Sequence, residues 1–191
     1  MTPQLYSKRQ QSGLALFEVL AAMMVLSMSF LGTALLLAKT AKEERSALFM
    51  GRAASLASDM AERIRSSPAA MSSYILNQTY DAGSGDVTAP DCGGLFTAPG
   101  TSPSDKPACS NAAGAARYDL ASWQVQVKSN LPGGVGSITT GANANMRTIV
   151  VGWNEPAIDK ANGALIPVNA GCPVAFKAPE TVRCYVMEVR P

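Results

Sequence analysis

Residues 14–38 read LALFEVLAAMMVLSMSFLGTALLLA, an apolar stretch of 25 residues with one charged side chain, Glu18. An α-helix rises about 1.5 Å per residue, so a helix of this length exceeds the roughly 30 Å hydrocarbon core of a bilayer. We therefore predict that residues 14–38 form a continuous apolar helix that is able to span a membrane.

The charges on either side of this stretch predict its orientation. Lys8 and Arg9 precede it with no acidic residue among residues 1–13, whereas the basic residues that follow it are offset by Glu43 and Glu44. The positive-inside rule then places the short N-terminus in the cytoplasm and the rest of the chain outside.

Two ordinary kinds of membrane-targeting segment, a cleaved secretory signal and a signal anchor, are alternative explanations of residues 14–38. A cleaved secretory signal has an apolar core of about 7–15 residues and a small-residue cleavage site after it, and neither feature fits. A plain signal anchor explains the length and the flanking charges. It does not explain Glu18, because a carboxylate costs about 2.5–3.5 kcal/mol at the centre of a membrane helix and less near its end. Glu18 is therefore a candidate functional residue.

The start of the apolar stretch resembles a known processing site. Residues 12–18, SGLALFE, place Gly13 at the polar–apolar boundary and a glutamate five residues after it. This closely resembles the class III leader of type IV prepilins and of type II secretion pseudopilins. The resemblance implies that a prepilin peptidase removes a cytoplasmic leader, residues 1–13, by cutting between Gly13 and Leu14, and that Leu14 becomes the N-methylated first residue. The chain departs from the family pattern in having leucine where phenylalanine usually follows the cut.

The same resemblance assigns a role in assembly to Glu18. Cleavage creates a positively charged α-amine in apolar surroundings, where an unpaired charge is very costly. Glu18 of one subunit can neutralise the amine of its neighbour, and buried pairs of this kind set register better than they add stability. We expect Glu18 to fix the axial step between neighbouring subunits.

The helical pattern continues beyond the apolar stretch. Apolar residues recur every three or four positions, at Phe49, Ala53, Leu56, Met60 and Ile64. Ser66-Ser67-Pro68 ends the pattern. We predict one helix from Leu14 to Arg65. Its first half, residues 14–38, lies in lipid or in a filament core, and its second half, residues 39–67, packs against a globular head.

Residues 68–191 differ in composition and are predicted to form this head, exposed to the periplasm or the exterior. They hold most of the chain's 16 glycines and 12 prolines, which is typical of short strands and long loops. The head also holds four cysteines, for which the pairing Cys92–Cys109 with Cys172–Cys184 is favoured among three connectivities. A metal site of four thiolates is the rival, but its C-x2-C spacing is missing. Disulfides indicate an oxidising, exported compartment.

One helix is predicted within the head. Leu120, Trp123, Val127 and Leu131 have helical spacing, and Asp119 is placed to cap the helix. The alternation of Trp123, Val125 and Val127 leaves a strand as the alternative, and we prefer the helix.

Four strands are predicted from turn signals and alternation. Residues 135–140 and 147–153 flank the turn sequence GANAN. Residues 172–178 and 181–189 flank Pro179, and a hairpin centred on residue 178 sets Cys172 opposite Cys184.

The composition excludes several classes of protein. None of the 191 residues is histidine, which excludes Ser-His-Asp and Cys-His catalysis and histidine-ligated zinc. Sixteen basic against 14 acidic residues leave a net charge of +2, too small to predict nucleic-acid binding. Asp81 and Asp86 lie in a glycine-rich loop but lack the spacing of a calcium-binding EF-hand. We expect no metal, no cofactor, no catalytic site and no enzymatic activity.

Softer motifs narrow the resemblance. Residues 56–65 (LASDMAERIR), 119–123, 131–136 and the strand that ends at Trp153 look like those of PilV-type minor pilins. The resemblance implies an α+β type IV pilin fold, in which a long N-terminal helix packs on an antiparallel sheet of about four strands. The strand patterns of this chain give the same number.

The function implied by the resemblance is that of a minor pilin in the complex that primes pilus assembly and sits at the filament tip. The implied partners are prepilin peptidase, the inner membrane before assembly, other minor pilins, the major pilin and a tip adhesin. A type II secretion pseudopilin is the alternative, and a membrane-anchored periplasmic enzyme or sensor is a third reading.

Overall fold

The computed structural model describes residues 14–81, 87, 111–158 and 163–190. The chain divides into two compact units, Met1–Arg45 and Ser46–Pro191. The leader predicted at residues 1–13 lies outside the described residues. The helices and strands are α1 (Leu14–Ser66), α2 (Ala112–Asn130), β1 (Val135–Thr140), β2 (Arg147–Asn154), β3 (Ala157–Ile158), β4 (Leu165–Ile166) and β5 (Val182–Val189).

The described part of the first unit, residues 14–45, is entirely helical. It is the beginning of α1, and every side chain from Leu16 to Arg45 is exposed. The predicted extent of this helix, Leu14 to Arg65, is confirmed to within one residue at its C-terminal end.

In the second unit, the end of α1 buries the face predicted from its spacing. Ala53, Leu56, Met60 and Ile64 lie in the core, and Phe49 packs against it half-buried. The helix ends where Pro68 follows, and a short 3-10 helix, Pro68–Ser73, continues the chain.

A three-stranded antiparallel sheet lies in the same core, with the strand order β1-β2-β5. An isolated bridge between Leu76 and Ile138 extends the pairing beyond β1. The two short strands β3 and β4 pair with each other in a separate ribbon. The predicted fold class, α+β with a long N-terminal helix on a small antiparallel sheet, is confirmed.

The two faces of the sheet are covered by different elements. Ile138, Ile149 and Val151 point to the side that packs with α1 and α2. Because side chains alternate along a strand, Val135 and Val150 point to the opposite side, where they form a second small core with Phe176. We call this second side the outer face of the sheet.

The strand predicted at residues 172–178 is wrong. Val174–Phe176 is a 3-10 helix, and Lys177 adopts a left-handed conformation with φ of 51°. Pro173 removes a backbone donor that a strand at this position would need. β5 pairs with β2 instead of forming a hairpin with this segment.

The helix predicted around Trp123 is confirmed, but its predicted cap is wrong. Trp123 and Val127 are buried whereas Val125 is 65% exposed, as a helix requires and a strand does not. α2 begins at Ala112, and the Asn111 side chain caps it by accepting a hydrogen bond of 2.7 Å from the backbone of Gly114. Asp119 therefore lies in the middle of the helix.

Candidate functional site

The first half of α1 carries an exposed apolar surface. Its exposed large side chains are Leu16, Phe17, Val19, Leu20, Met23, Met24, Val25, Leu26, Met28, Phe30, Leu31, Leu35, Leu36 and Leu37. Contiguous exposed apolar patches larger than a few hundred Å² mark sites that contact a membrane or another protein. By length and composition, α1 is able to cross a membrane.

Glu18 is the one charged residue within this apolar surface. Its side chain is exposed, and it has neither a hydrogen bond nor an ion pair with any described residue. On the same helix face, the neighbour one turn further along is Ala22. A carboxylate in apolar surroundings requires a cationic or hydrogen-bonding partner. If this helix lies in lipid or against other apolar helices, the partner of Glu18 must come from outside the described residues.

The hydroxyl groups in the same half of α1 are satisfied within the helix. Ser27 and Ser29 donate to the carbonyl oxygens of Met24 and Val25 at 2.9 and 3.0 Å. Thr33 donates to the carbonyl oxygen of Phe30 at 3.0 Å. Such back-bonding removes the cost of burying a hydroxyl group, so these side chains are compatible with lipid where an unpaired one would not be.

The predicted processing site is described only in part. Gly13 lies outside the described residues. Leu14 is the first described residue, and its backbone is helical. The cut between Gly13 and Leu14 stays a prediction.

In the second unit, a cluster of polar side chains joins α1 to α2. Arg63 contacts Asp119 through Nη1 and Oδ1 at 3.0 Å and Asp59 through Nε and Oδ2 at 3.0 Å. The buried Tyr74 hydroxyl donates to Oδ2 of Asp119 at 2.6 Å. The sequence assigned Asp119 to a helix cap. Its actual partners, Tyr74 and Arg63, lie 45 and 56 residues away in the sequence, so no local sequence pattern predicts these contacts.

The contacts within this cluster raise the pKa of two groups, Tyr74 and Arg63. Burial and the hydrogen bond to Asp119 raise the pKa of Tyr74 to about 12. Burial by itself would lower the pKa of Arg63, but the hydrogen bond and charge of Asp119 together with Asp59 raise it above its ordinary value. Tyr74 therefore stays neutral and Arg63 stays charged over the physiological range.

A buried tryptophan makes a second link between the helices. The indole Nε1 of Trp123 donates to the backbone carbonyl oxygen of Leu56 in α1 at 2.8 Å. Its ring lies on Gly136 of β1, where an added Cβ would be 2.4 Å from the ring. Glycine is required here because the ring approaches the strand backbone closely.

The cysteines predicted to pair near the C-terminus do so. Cys172 and Cys184 form a disulfide with a Cα–Cα distance of 5.1 Å. The bond ties the 3-10 helix at residues 174–176 to β5 on the outer face of the sheet. The predicted pair Cys92–Cys109 lies outside the described residues.

Within the described ranges, no group of three or more His, Cys, Asp or Glu residues is arranged to hold a metal ion. Asp81 lies 3.6 Å from the ammonium of Lys177, and Asp86 lies outside those ranges.

Comparison with protein families, with curated proteins and with solved structures gives no match to this chain.

Proposed function

We propose that this chain is a minor pilin of a type IV pilus, of the PilV type, that joins the complex priming assembly and sits at the filament tip. The observation that carries the proposal is the combination on α1 of a fully exposed apolar half and one unpartnered carboxylate, Glu18. The end of this helix buries one face, which includes Ala53, Met60 and Ile64, in the core of a disulfide-bonded head.

The proposed sequence of events has three stages: membrane insertion, processing and assembly. The charges of the N-terminal segment give the orientation in the membrane. Before assembly, residues 14–38 span the inner membrane with residues 1–13 in the cytoplasm and the head in the periplasm. Prepilin peptidase then cuts between Gly13 and Leu14, and Leu14 is methylated on its new α-amine. After assembly, the subunit lies in the extracellular filament, an oxidising environment in which a disulfide persists.

Glu18 is the proposed register device. Apolar contacts alone fix the axial offset between neighbouring helices only weakly, because one apolar residue replaces another at similar free energy. An unpaired amine and an unpaired carboxylate in those surroundings are both costly, and only one axial offset pairs them. Other minor pilins and the major pilin supply the neighbouring helices.

Two other functions compete with this one. A pseudopilin of a type II secretion system has the same processing and the same helix, and it differs in the machine that it joins. A membrane-anchored periplasmic enzyme or sensor retains an intact N-terminus.

The processing step is tested by mass spectrometry of the full chain after co-expression with prepilin peptidase. We expect loss of residues 1–13 and an N-terminal Leu14 that carries one methyl group. The variant Gly13→Val, which places a branched side chain at the cut, is expected to keep the leader. A wild-type chain that retains Met1 would contradict both pilin functions and favour the membrane-anchored enzyme or sensor.

The assembly step is tested with Glu18→Gln, which removes the charge but preserves the shape of the side chain. We expect this variant to be processed but absent from sheared filaments. Glu43→Gln is the matched control, because Glu43 lies on the same helix beyond the apolar stretch and pairs with Lys39 at the surface. Equal incorporation of both variants would contradict the register role. Wild-type chain recovered with a secretion complex and missing from filaments would favour the pseudopilin.

A further inference from the structure

A cleft lies on the outer face of the sheet, away from the two helices. Residues 77–79 form one side, the short 3-10 helix at residues 174–176 forms the other, and β1 and β2 form the floor. Its volume is about 250 Å³. No step of the proposed assembly function uses it.

The walls of the cleft are fixed by backbone pairing and by the disulfide. Leu76 and Ile138 exchange two backbone hydrogen bonds of 2.8 and 2.9 Å, which hold the first wall against β1. The backbone amide of Tyr80 donates to the carbonyl oxygen of Phe176 at 2.8 Å, and Cys172–Cys184 anchors the second wall to β5. A ligand would therefore meet a preformed site and lose little free energy in ordering it.

The floor presents two hydroxyl groups side by side. Thr139 and Thr148 are directly paired across β1 and β2, and neither hydroxyl has a hydrogen-bond partner among the described residues. The neighbouring Ser137 hydroxyl is already committed, since it donates to the backbone carbonyl oxygen of Leu76 at 3.0 Å. Asn77 and Thr79 add an amide and a third hydroxyl at the side of the cleft. Each of these groups can both donate and accept.

The other end of the cleft is apolar. Val150 and Phe176 belong to the small core on the outer face, and Pro173 and Ala175 complete this end. The cleft therefore combines a row of polar groups with an apolar surface, so a ligand with both kinds of surface would complement it.

The absence of charged side chains among the described lining residues favours a neutral ligand over a charged one. None of the described residues that line the cleft is Asp, Glu, Lys or Arg. The residue paired with Thr148 across β2 and β5 is Glu188, which is exposed on the same face. A neutral ligand fits this environment, whereas an anionic one would be repelled by Glu188 and would find no cation in the lining.

We propose that this cleft binds one ring of a neutral carbohydrate. A sugar ring carries several hydroxyl groups that donate and accept, and it also carries a C–H face that packs on apolar side chains. The volume is below the roughly 300–1,000 Å³ of sites for drug-sized ligands, so it suits one ring. The proposal stands on the head alone and does not depend on processing at Gly13.

The test is a titration of the full-length chain with the methyl glycosides of glucose, galactose and N-acetylglucosamine, followed by ligand-observed NMR. The chain is held in amine-oxide detergent micelles, because a glycoside detergent would itself present sugar rings. We expect saturable binding of at least one glycoside at millimolar concentration. The variant Thr139→Val/Thr148→Val is expected to bind about tenfold more weakly, the size expected for losing two neutral hydrogen bonds.

Thr140→Val is the matched control, because Thr140 lies next in β1 with its side chain on the opposite side of the strand. It should bind like the wild type. Asn77→Ala is a second cleft variant at an exposed position, so that a folding defect of the double variant would not prevent the test. It should also bind more weakly. The proposal would be overturned by wild-type chain that binds none of the glycosides, or by cleft variants that bind as well as Thr140→Val.

Discussion

Replacing Tyr74 with phenylalanine removes one atom from the cluster that joins α1 to α2. The Tyr74 hydroxyl is buried and donates to Asp119 at 2.6 Å. Phenylalanine fills the same space, and Asp119 keeps its contact with Arg63 at 3.0 Å, so no charge is left unpaired. A hydrogen bond to a charged group contributes about 1.5–3 kcal/mol. We expect Tyr74→Phe to lower the free energy of unfolding by this amount at pH 7–9.

The effect of this substitution is expected to depend on pH in the alkaline range. A tyrosine in the unfolded chain ionises near pH 10, whereas the pKa of Tyr74 in the folded chain is about 12. At pH 9 and below, nearly all of the chains in both states hold the proton and the contribution of Tyr74 is complete. Above pH 10 the unfolded state loses its proton first, so the wild type loses stability by about 1.4 kcal/mol per pH unit and phenylalanine does not. Between pH 9 and 11.5 the gap should narrow by roughly 2 kcal/mol.

The measurement is urea unfolding of the full chain in micelles at several pH values, followed by tryptophan fluorescence. Both tryptophans, Trp123 and Trp153, are fully buried in the head, so their emission reports on this unit. Tyr118→Phe is the control, because Tyr118 is 47% exposed on α2. A gap that stays constant from pH 9 to 11.5, or an equal effect of the control, would refute the role assigned to Tyr74.

Two further substitutions are expected to change the stability of the head, measured by the same unfolding experiment. Replacing both Cys172 and Cys184 with alanine should lower the free energy of unfolding by about 3 kcal/mol, since the bond closes a loop with a sequence separation of 12, and an unchanged value would contradict this loop-entropy account. Gly136→Ala should destabilise by about 1–3 kcal/mol, because the new Cβ would lie 2.4 Å from the Trp123 ring. Gly171→Ala, which meets nothing within 4 Å, should be nearly neutral, and equal effects of the two would show that the contact with the ring is not the cause.

The long helix and the first two strands were predictable because their signals are local. The apolar stretch at residues 14–38 and the repeat from Phe49 to Ile64 both have the helical period, and nothing between them breaks it. β1 is a short run of β-formers bounded by turn residues, and the turn after it leads into β2.

The region after residue 165 was harder to predict, because its signals conflict. The pairing of Cys172 with Cys184 was predicted from a symmetric hairpin, and the bond is present although the hairpin is not. Alternation at residues 172–178 suggested a strand. Two flanking prolines and the packing of Phe176 on the outer face of the sheet favoured a 3-10 helix there instead.

The sequence by itself determined the features that depend on neighbours along the chain. These are the apolar segment with its single carboxylate, the extent of α1, its buried face and the composition of the head. Only the tertiary structure decided which distant groups meet. Asp119 is a plausible cap when it is considered in its local sequence, yet folding brings it to Tyr74 and Arg63. Thr139 and Thr148 are ordinary strand residues until the register of β1 and β2 places their unpartnered hydroxyls together in a cleft. The physical reason is that hydrogen bonds and ion pairs act over a few ångströms in space, and such proximity is set by the fold of the whole head.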